Sequence, residues 1–365
     1  MSDFCPIRNI DHLELYVGNA KQAAAYYASA LGFTQKAYRG LETGYRDTAS
    51  YLMEQGDIRL MLTTALSGGH PVAKHVRKHG DGVAKIALSV PDARAAFYET
   101  VRRGAKPAME PTEERNEHGL FVHSSIHAYG DTLIQFIERD DYAGLFAPGF
   151  QPREGHGGRT IGAGLAAIDH VVGNVELGGM DRWVQFFAET MGFSQLVHFD
   201  DKAIATEYSA LMSKVMQDGT GRIKFPINEP AHGRRKSQVQ EYLDYYGGPG
   251  VQHVAFATND IVKTVSDLRS RGVEFLRVPS TYYDDLSERV GEMNERVEDL
   301  AALGIMADRD DEGYLLQIFT EAVEDRPTLF FEIIERHGAK GFGEGNFKSL
   351  FEAIEREQAK RGNLV

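Results

Sequence analysis

Residues 326–336 read Arg-Pro-Thr-Leu-Phe-Phe-Glu-Ile-Ile-Glu-Arg, a near-continuous apolar run with one carboxylate, Glu332, in its middle. The length of the run and its content of Phe and Ile are typical of a buried strand. A carboxylate in such a run costs free energy unless it is paired, hydrogen-bonded or bound to a metal. Because side chains alternate along a strand, Glu332 shares a face with Phe330 and Ile334. Glu332 is therefore a candidate functional residue.

The chain contains two copies of one pattern, and this strand closes the second copy. The matching segments are Ile10-Asp11-His12 with Ile168-Asp169-His170, Gly32-Phe33 with Gly192-Phe193, residues 82–87 with 250–255, residues 93–104 with 261–272, and residues 133–139 with the opening stretch. In this comparison Gln135 occupies the position of Glu332. The predicted helices cover residues 21–31, 72–78, 92–103, 181–191, 261–271 and 346–361. Two copies of a β-α-β-strands unit predict sheets that curl around a central cavity.

A stretch rich in Pro and Gly separates the two copies. It lies between residues 142 and 164 and includes the glycines at 155, 157 and 158. We predict an N-terminal domain over residues 1–150, a linker over 151–164 and a C-terminal domain over 165–365. The last helix of the C-terminal domain is either a lid over a site or a simple cap on the core.

Three residues of types that bind metals lie on strands of the second copy that have counterparts in the first: His170, His253 and Glu332. Two imidazoles and one carboxylate form the facial triad that suits non-haem Fe(II) and leaves three positions open. The first copy carries His12, Lys85 and Gln135 at these places. A cationic lysine and a weakly ligating amide cannot hold a divalent ion in the same way. A lone histidine in a strand is more often a hydrogen-bonded core residue, but three matched positions favour a metal site in the second copy.

Four weaker patterns favour ordinary structure. The glycine-rich residues 341–346 favour a hinge over a phosphate loop. Residues 308–313 favour a charged hairpin turn over a calcium loop. The basic run at 232–236 favours a solvated turn, with attraction of an anionic substrate as the alternative. The histidines expected on the surface are His75, His79, His118 and His337.

Composition excludes several classes of protein. The 365 residues are 42% apolar and 25% charged, as in globular proteins, and the net charge of −13 argues against a nucleic-acid partner. The one cysteine, Cys5, allows no internal disulfide and favours a reducing compartment. No segment has the pattern of a signal peptide or the length of a membrane span. We therefore expect a cytoplasmic protein without a membrane partner.

Several motifs together identify a family. They are Ile168-Asp169-His170, Pro226-Ile227-Asn228-Glu229-Pro230, Lys236-Ser237-Gln238, Val251-Gln252-His253, Leu316-Gln317-Ile318-Phe319, Asp325-Arg326-Pro327, Phe331-Glu332-Ile333-Ile334 and Gly-Phe-Gly-Glu-Gly-Asn-Phe at 341–347. In this order they resemble the 4-hydroxyphenylpyruvate dioxygenase family, strongly in the second half and weakly in the first. The resemblance implies an α+β fold of tandem vicinal-oxygen-chelate βαβββ repeats. These would form two open barrel-like domains, the first without a metal site, and a C-terminal lid helix.

The resemblance also implies a reaction. Members convert 4-hydroxyphenylpyruvate and O₂ to homogentisate and CO₂, a step of tyrosine breakdown, with Fe(II) held by residues equivalent to His170, His253 and Glu332. The 2-oxo acid of the substrate would take two open positions and O₂ the third. The substrate supplies its own two electrons, so no nicotinamide, flavin or separate 2-oxoglutarate is needed. The family also implies a homodimer or a homotetramer.

The substrate pocket is likewise implied by the resemblance. Its residues would be Ser213, Asn228, Gln238, Gln252, Gln317, Phe319, Phe330, Phe342, Asn346, Phe347 and Leu350. Phe319, Phe342 and Phe347 are assigned to the aromatic ring, and the amides and Ser213 to the phenol and ordered water. Strand alternation agrees with Phe330 beside Glu332, but it places Gln252 on the face opposite to His253.

Two alternatives remain open. A 4-hydroxymandelate synthase shares the metal and the substrate but hydroxylates the benzylic carbon. It differs typically at the Pro-x-Asn strand and at the phenylalanine of the last helix, where Pro226, Asn228 and Phe347 follow the dioxygenase pattern. A metal-free binding protein of the same fold is opposed by the intact triad.

Overall fold

The computed structural model describes residues 4–153, 161–199, 210–231 and 235–363. The glycines at 155, 157 and 158 of the predicted linker and the first three residues of the basic run, 232–234, lie outside the described residues. Two mixed sheets organise the chain, one from each copy of the repeat. No helix of the described part of the chain is both long and apolar enough to cross a membrane.

The first sheet has nine strands in the order β6-β7-β8-β5-β1-β4-β3-β2-β9. The strands are β1 (Asn9–Tyr16), β2 (Thr34–Arg39), β3 (Thr48–Gln55), β4 (Ile58–Ala65), β5 (Gly82–Ser89), β6 (Pro107–Asn116), β7 (Gly119–His127), β8 (Leu133–Glu138) and β9 (Gln151–Pro152). The helices are α1 (Ala20–Ser29), α2 (Pro71–His79) and α3 (Ala93–Arg102). The short strand β9 pairs with β2, so the first two residues of the predicted linker belong to this sheet.

The second sheet has eight strands in the order β11-β12-β13-β10-β14-β17-β16-β15. The strands are β10 (Leu165–Asn174), β11 (Ser194–Phe199), β12 (Ala210–Gln217), β13 (Lys224–Ala231), β14 (Gly250–Thr258), β15 (Met306–Arg309), β16 (Tyr314–Phe319) and β17 (Phe330–His337). The helices are α4 (Met180–Met191), α5 (Gln238–Tyr246), α6 (Ile261–Ser270), α7 (Leu286–Val290), α8 (Val297–Leu303) and α9 (Phe347–Lys360). Apart from β9, this is the order of the first sheet, so the predicted tandem repeat is confirmed.

Strand register fixes which residues of the two copies correspond. Lys85 of β5 pairs with Leu133 of β8, and Gln135 lies two residues further along. In the second sheet His253 of β14 pairs with Phe330 of β17, again two residues before the carboxylate. The match between Gln135 and Glu332 therefore holds in the hydrogen-bonded ladder as well as in the sequence.

Matching helices begin in the same way because matching residues cap them. Asp92 accepts a hydrogen bond from the backbone N–H of Ala95 at the start of α3, and Asp260 does the same for α6. A side-chain carboxylate of this kind satisfies a backbone donor that has no partner within the helix. The helices pack across the sheets and bury their apolar faces.

One aromatic group joins the cores of the two sheets. Phe331 of β17 is fully buried, with its ring 5.1 Å from the ring of Phe256 and 6.0 Å from that of Tyr27 in α1. Phe33 lies 6.0 Å from Phe256 on the same side. The strand that carries Glu332 is thus held by packing contacts from both copies.

Some features of the fold were not expected from the sequence. Strand β6, whose side chains are mostly exposed, and helices α5, α7 and α8 were not predicted. His79 was expected on the surface, which is wrong, because α2 packs against α5 of the second copy and buries it. Its Nδ1 atom lies 2.7 Å from the carbonyl of Tyr246 and its ring stacks on the Tyr246 ring. The predicted hairpin turn at 308–313 is confirmed, since it joins β15 to β16.

We expect Phe331→Ala to lower the free energy of unfolding by about 3–5 kcal/mol, because it removes a fully buried ring between two sheets. Urea denaturation would measure the change. Tyr98→Ala is the control, since Tyr98 is 59% exposed on α3 and should shift stability by no more than about 0.5 kcal/mol. Equal effects of the two substitutions would contradict the packing role of Phe331.

Candidate metal centre

His170, His253 and Glu332 come together on β10, β14 and β17, which are neighbours in the second sheet. The Oε2 atom of Glu332 lies 3.1 Å from Nε2 of His170 and 3.4 Å from Nε2 of His253. All three side chains are buried, and Glu332 is only 3% exposed. Two imidazole nitrogens and a carboxylate oxygen at this spacing can share one metal ion.

The second ring nitrogen of each histidine is held by a neighbouring side chain. Nδ1 of His170 lies 2.7 Å from Oδ1 of Asp169, and Nδ1 of His253 lies 3.0 Å from Oε1 of Gln252. A histidine whose Nδ1–H donates in this way presents the lone pair of Nε2. The donor set therefore fits a divalent metal ion of the kind that takes nitrogen and oxygen ligands.

Arg336 fixes Asp169 in turn. Its guanidinium donates two hydrogen bonds to the carboxylate, at 2.7 and 2.8 Å. It also donates to the carbonyl of Gly341, 2.7 Å away, in the segment that leads to α9. One arginine thus links the orientation of His170 to the entrance of the last helix.

Burial and charge act in opposite directions on the three groups. Burial raises the pKa of Glu332, but the imidazoles of His170 and His253 outweigh it and bring that pKa to about 2. Burial lowers the pKa of His170, but the carboxylates of Glu332 and Asp169 outweigh it and raise that pKa. For His253 burial prevails and its pKa is lowered. Glu332 is therefore an anion at neutral pH, as a metal ligand must be.

The first copy has the same support without the same ligands. Nδ1 of His12 lies 2.7 Å from Asp11, and Arg139 binds the Asp11 carboxylate at 2.6 Å. The position of His253 is taken by Lys85, whose ammonium lies 2.8 Å from the carboxylate of Glu14. An internal ion pair therefore occupies the region that corresponds to the triad.

A cavity opens on the triad. Besides the three candidate ligands, the lining residues are Val172, Leu211, Ser213, Val215, Pro226, Asn228, Gln238, Gln252, Phe319, Phe330, Phe342, Phe347, Leu350, Phe351 and Ile354. A mainly apolar wall with a few polar groups is typical of a small-molecule site. Nine of the eleven pocket residues expected from the family resemblance are among them.

Aromatic rings surround the histidines on the cavity side. The ring of Phe330 stacks on His253 at 4.8 Å, and Phe319 meets the same imidazole edge-on at 5.9 Å. Phe342 meets His170 edge-on at 5.1 Å. Such contacts fix the imidazole planes and keep water from the metal-facing side of the cavity.

Gln252 lines the cavity although simple alternation places it on the other face. The reason is a β-bulge: Val172 pairs with His253, while the next residue, Gly173, pairs with Val251. Gln252 is the extra residue, and a bulge of this kind turns a side chain away from the alternating pattern. The prediction from simple alternation, that Gln252 points away from the side of His253, was therefore wrong. The first copy has the same irregularity opposite Glu14 and Leu15.

Gln317 and Asn346 do not belong to the cavity lining. Gln317 lies behind Gly343, where an added Cβ would be 2.1 Å from its Oε1 atom. Asn346 is fully buried and accepts a hydrogen bond of 2.5 Å from the hydroxyl of Tyr282. Both amides were expected from the family resemblance, and neither is among the residues that line the cavity.

The last helix covers one side of the cavity. The lining residues that α9 supplies are Phe347, Leu350, Phe351 and Ile354, and only the first two were expected. Their spacing of three and four residues is the signal that would have found the others. At the end of α9, Arg361 binds the carboxylate of Glu241 in α5 at 2.8 Å.

Comparisons with known proteins agree on one family. The Glyoxalase/Bleomycin resistance protein/Dioxygenase superfamily matches residues 9–143 and 167–318, one match for each copy. Proteins named 4-hydroxyphenylpyruvate dioxygenase are 47% identical in Dictyostelium discoideum, over 98% of this chain and 100% of the relative, and 46% identical in Yarrowia lipolytica, over 98% and 94%. The relative of the same name in Danio rerio is 44% identical over 98% of this chain and 92% of its own length.

Solved structures show the same architecture. A triple mutant of 4-hydroxymandelate synthase from Streptomyces coelicolor superposes with a TM-score of 0.87 at 35% identity, covering 97% of this chain and 99% of that one. A Mn(II)-bound glyoxalase from Novosphingobium aromaticivorans is similar in fold alone, with a TM-score of 0.51 at 14% identity over 90% and 82% of the two chains.

We expect Asp169→Asn to weaken metal binding about 10- to 100-fold, because it removes the charge that supports His170. Anaerobic equilibrium dialysis against Fe(II) would measure the affinity. Asp11→Asn is the matched control, since Asp11 makes the equivalent contacts in the first copy. An equal loss in both variants would show a general effect on folding instead.

Proposed function

Since the chain belongs to the 4-hydroxyphenylpyruvate dioxygenase family of the glyoxalase/bleomycin resistance protein/dioxygenase superfamily, we propose that it converts 4-hydroxyphenylpyruvate and O₂ to homogentisate and CO₂. The reaction combines oxidative decarboxylation, ring hydroxylation and side-chain migration, and it belongs to tyrosine and phenylalanine catabolism. The observation that carries this function is the buried triad at one side of a cavity lined by aromatic side chains.

The metal is proposed to be Fe(II), held by His170, His253 and Glu332. When bound, iron supplies the redox chemistry that allows O₂ to react with an organic substrate. A facial set of three protein ligands leaves room for the two oxygens of a 2-oxo acid and for O₂. The protein contributes a fixed donor set, since Asp169 and Gln252 hold the Nδ1 atoms of the two histidines.

The aromatic wall is proposed to bind the ring of the substrate. Phe319, Phe342 and Phe347 lie on the cavity surface, and Phe330 lines it beside His253. Flat apolar side chains bind an aromatic ring by offset or edge contacts and exclude water from it. Exclusion of water protects the reaction from side reactions with solvent.

The polar groups of the cavity are proposed to recognise the phenol. Ser213, Asn228, Gln238 and Gln252 are all buried and all lie on the lining. Asn228 is positioned by Asn174, 3.4 Å away, and Gln252 by its contact with His253. A hydroxyl group that satisfies such buried donors and acceptors is distinguished from a substrate that lacks it. Gln317 and Asn346 are proposed to act without contacting the substrate. Gln317 would position Gly343, and Asn346 would position the start of α9.

The second candidate reaction is that of a 4-hydroxymandelate synthase. The high structural similarity to one such enzyme favours it, because the folds and chain lengths match throughout. Pro226, Asn228 and Phe347 favour ring hydroxylation instead, since they follow the dioxygenase pattern and all three line the cavity. The two reactions differ in the carbon that is hydroxylated and in whether the side chain migrates, so product analysis separates them.

The enzyme is further proposed to act in the cytoplasm as a homodimer or a homotetramer. The family resemblance supports the assembly, and the single cysteine supports a reducing compartment. Light scattering coupled to gel filtration would give the mass of the assembly. A monomer at micromolar concentration would contradict the proposal.

We expect the protein loaded anaerobically with Fe(II) to form homogentisate and one CO₂ for each O₂ consumed. Chromatography of the products and an oxygen electrode would measure both. His170→Ala should lower turnover more than about 100-fold because it removes a ligand, whereas His12→Ala, its counterpart in the first copy, should retain most of it. 4-Hydroxymandelate as the main product, or full turnover by His170→Ala, would refute the proposal.

We expect Asn228→Ala to lower kcat/KM for 4-hydroxyphenylpyruvate by about 10- to 100-fold, because a hydrogen bond to a buried polar group is lost. Steady-state kinetics would measure the change, and the iron content of the variant should stay at the wild-type level. A variant that lost iron in parallel with activity would place Asn228 in support of the metal instead of the phenol.

A further inference from the structure

A second group of ligand-type side chains lies at the far end of β17. It consists of Glu335 and His337 at the end of that strand and Glu295 in the loop before α8. Nε2 of His337 lies 2.9 Å from Oε1 of Glu335 and 3.3 Å from Oε1 of Glu295. The corresponding distances in the candidate metal centre are 3.1 and 3.4 Å. The two groups therefore have nearly the same spacing of donor atoms.

The Oε2 atoms of both carboxylates and the imidazole ring have other contacts that hold them. Oε2 of Glu335 accepts a hydrogen bond of 2.7 Å from the backbone N–H of Ile261, and Oε2 of Glu295 accepts one of 3.0 Å from the hydroxyl of Tyr314. The ring of His337 stacks on the Tyr314 ring at 4.3 Å and 8°. Each side chain thus has a fixed orientation and turns one remaining donor atom toward the same point, as ligands with supporting contacts do.

Nε2 of His337 lacks a hydrogen bond. The atom is buried, and neither carboxylate oxygen lies in the direction of its N–H, although both are close. A metal ion needs no such alignment with the oxygens, because it lies about 2.0–2.2 Å from each donor and between them. Side-chain exposures of 26% for His337 and 15% for Glu295 allow an ion to enter and water to complete its coordination.

Comparison of the two copies shows which side chains of this group have a role that is common to both copies of the fold. Glu138, the counterpart of Glu335, accepts a hydrogen bond from Ala93 at the start of α3, so the capping role is common to both copies. The counterpart of His337 is Asp140, which forms an ion pair with Arg8. Helix capping therefore explains Glu335, but it does not explain the imidazole that faces it.

We propose that Glu295, Glu335 and His337 form a second metal site, for a divalent transition-metal ion such as Zn²⁺. One imidazole and two carboxylates are ligands that zinc accepts, with water in the remaining position. The bound ion connects the loop before α8 to β17, the strand that carries Glu332. This site is independent of the proposed reaction, because it uses none of the residues of the triad.

Equilibrium dialysis of chelator-treated protein against Zn²⁺, followed by metal analysis, tests the proposal. We expect two equivalents in the wild type, one in His170→Ala/His253→Ala, one in His337→Ala, and none when these three substitutions are combined. His118→Ala is the matched control, since His118 is exposed and has one carboxylate, Glu117, 3.7 Å away. It should keep two equivalents.

A second measurement tests the proposal even if His337→Ala folds poorly. Zn²⁺ should raise the Tm of His170→Ala/His253→Ala, and the rise should disappear when Glu295→Gln, a substitution of similar size, is added. A wild type that binds one equivalent would overturn the proposal. The binding of two equivalents of Zn²⁺ by both His337→Ala and Glu295→Gln would overturn it as well.

Discussion

The carboxylate of Asp169 binds an imidazole on one side and a guanidinium on the other, and the chemistry of the second sheet depends on that pair of contacts. Asp169 orients His170, and Arg336 neutralises Asp169 while it holds the carbonyl of Gly341. Burial raises the pKa of Asp169, but the hydrogen bonds from Arg336 and His170 outweigh it and hold that pKa far below its usual range. A buried ion pair is costly to form, so its value here lies in the position it fixes.

The first copy contains the same interaction without the metal-binding residues. Asp11 stands between His12 and Arg139, in the arrangement of Asp169. The carboxylate–imidazole–guanidinium contact is therefore part of the repeated fold. The capacity to bind a metal depends on two further positions, which hold His253 and Glu332 in one copy. In the other copy Lys85 is neutralised by Glu14.

The strand β17 connects most of the functional features. Its first residue, Phe330, lines the cavity, Glu332 faces the histidines, and Phe331 packs between the two sheets. Further along, Glu335 caps α6 while its other oxygen faces His337. Alternation assigns these roles to opposite faces, so one strand serves the cavity on one side and the core on the other.

The sequence by itself determined the repeat, the α+β architecture and the three candidate ligands, because equivalent strands place equivalent residues at the same height in a sheet. Local periodicity also predicted most helices, and the family resemblance implied nine residues of the cavity. The tertiary structure alone decided the features that depend on contacts between distant segments. Pairing across strands creates the bulge that turns Gln252 into the cavity. Packing of α2 against α5 buries His79, and the approach of a loop to the end of β17 brings Glu295 to His337. No local pattern encodes these contacts, since each depends on where another part of the chain lies.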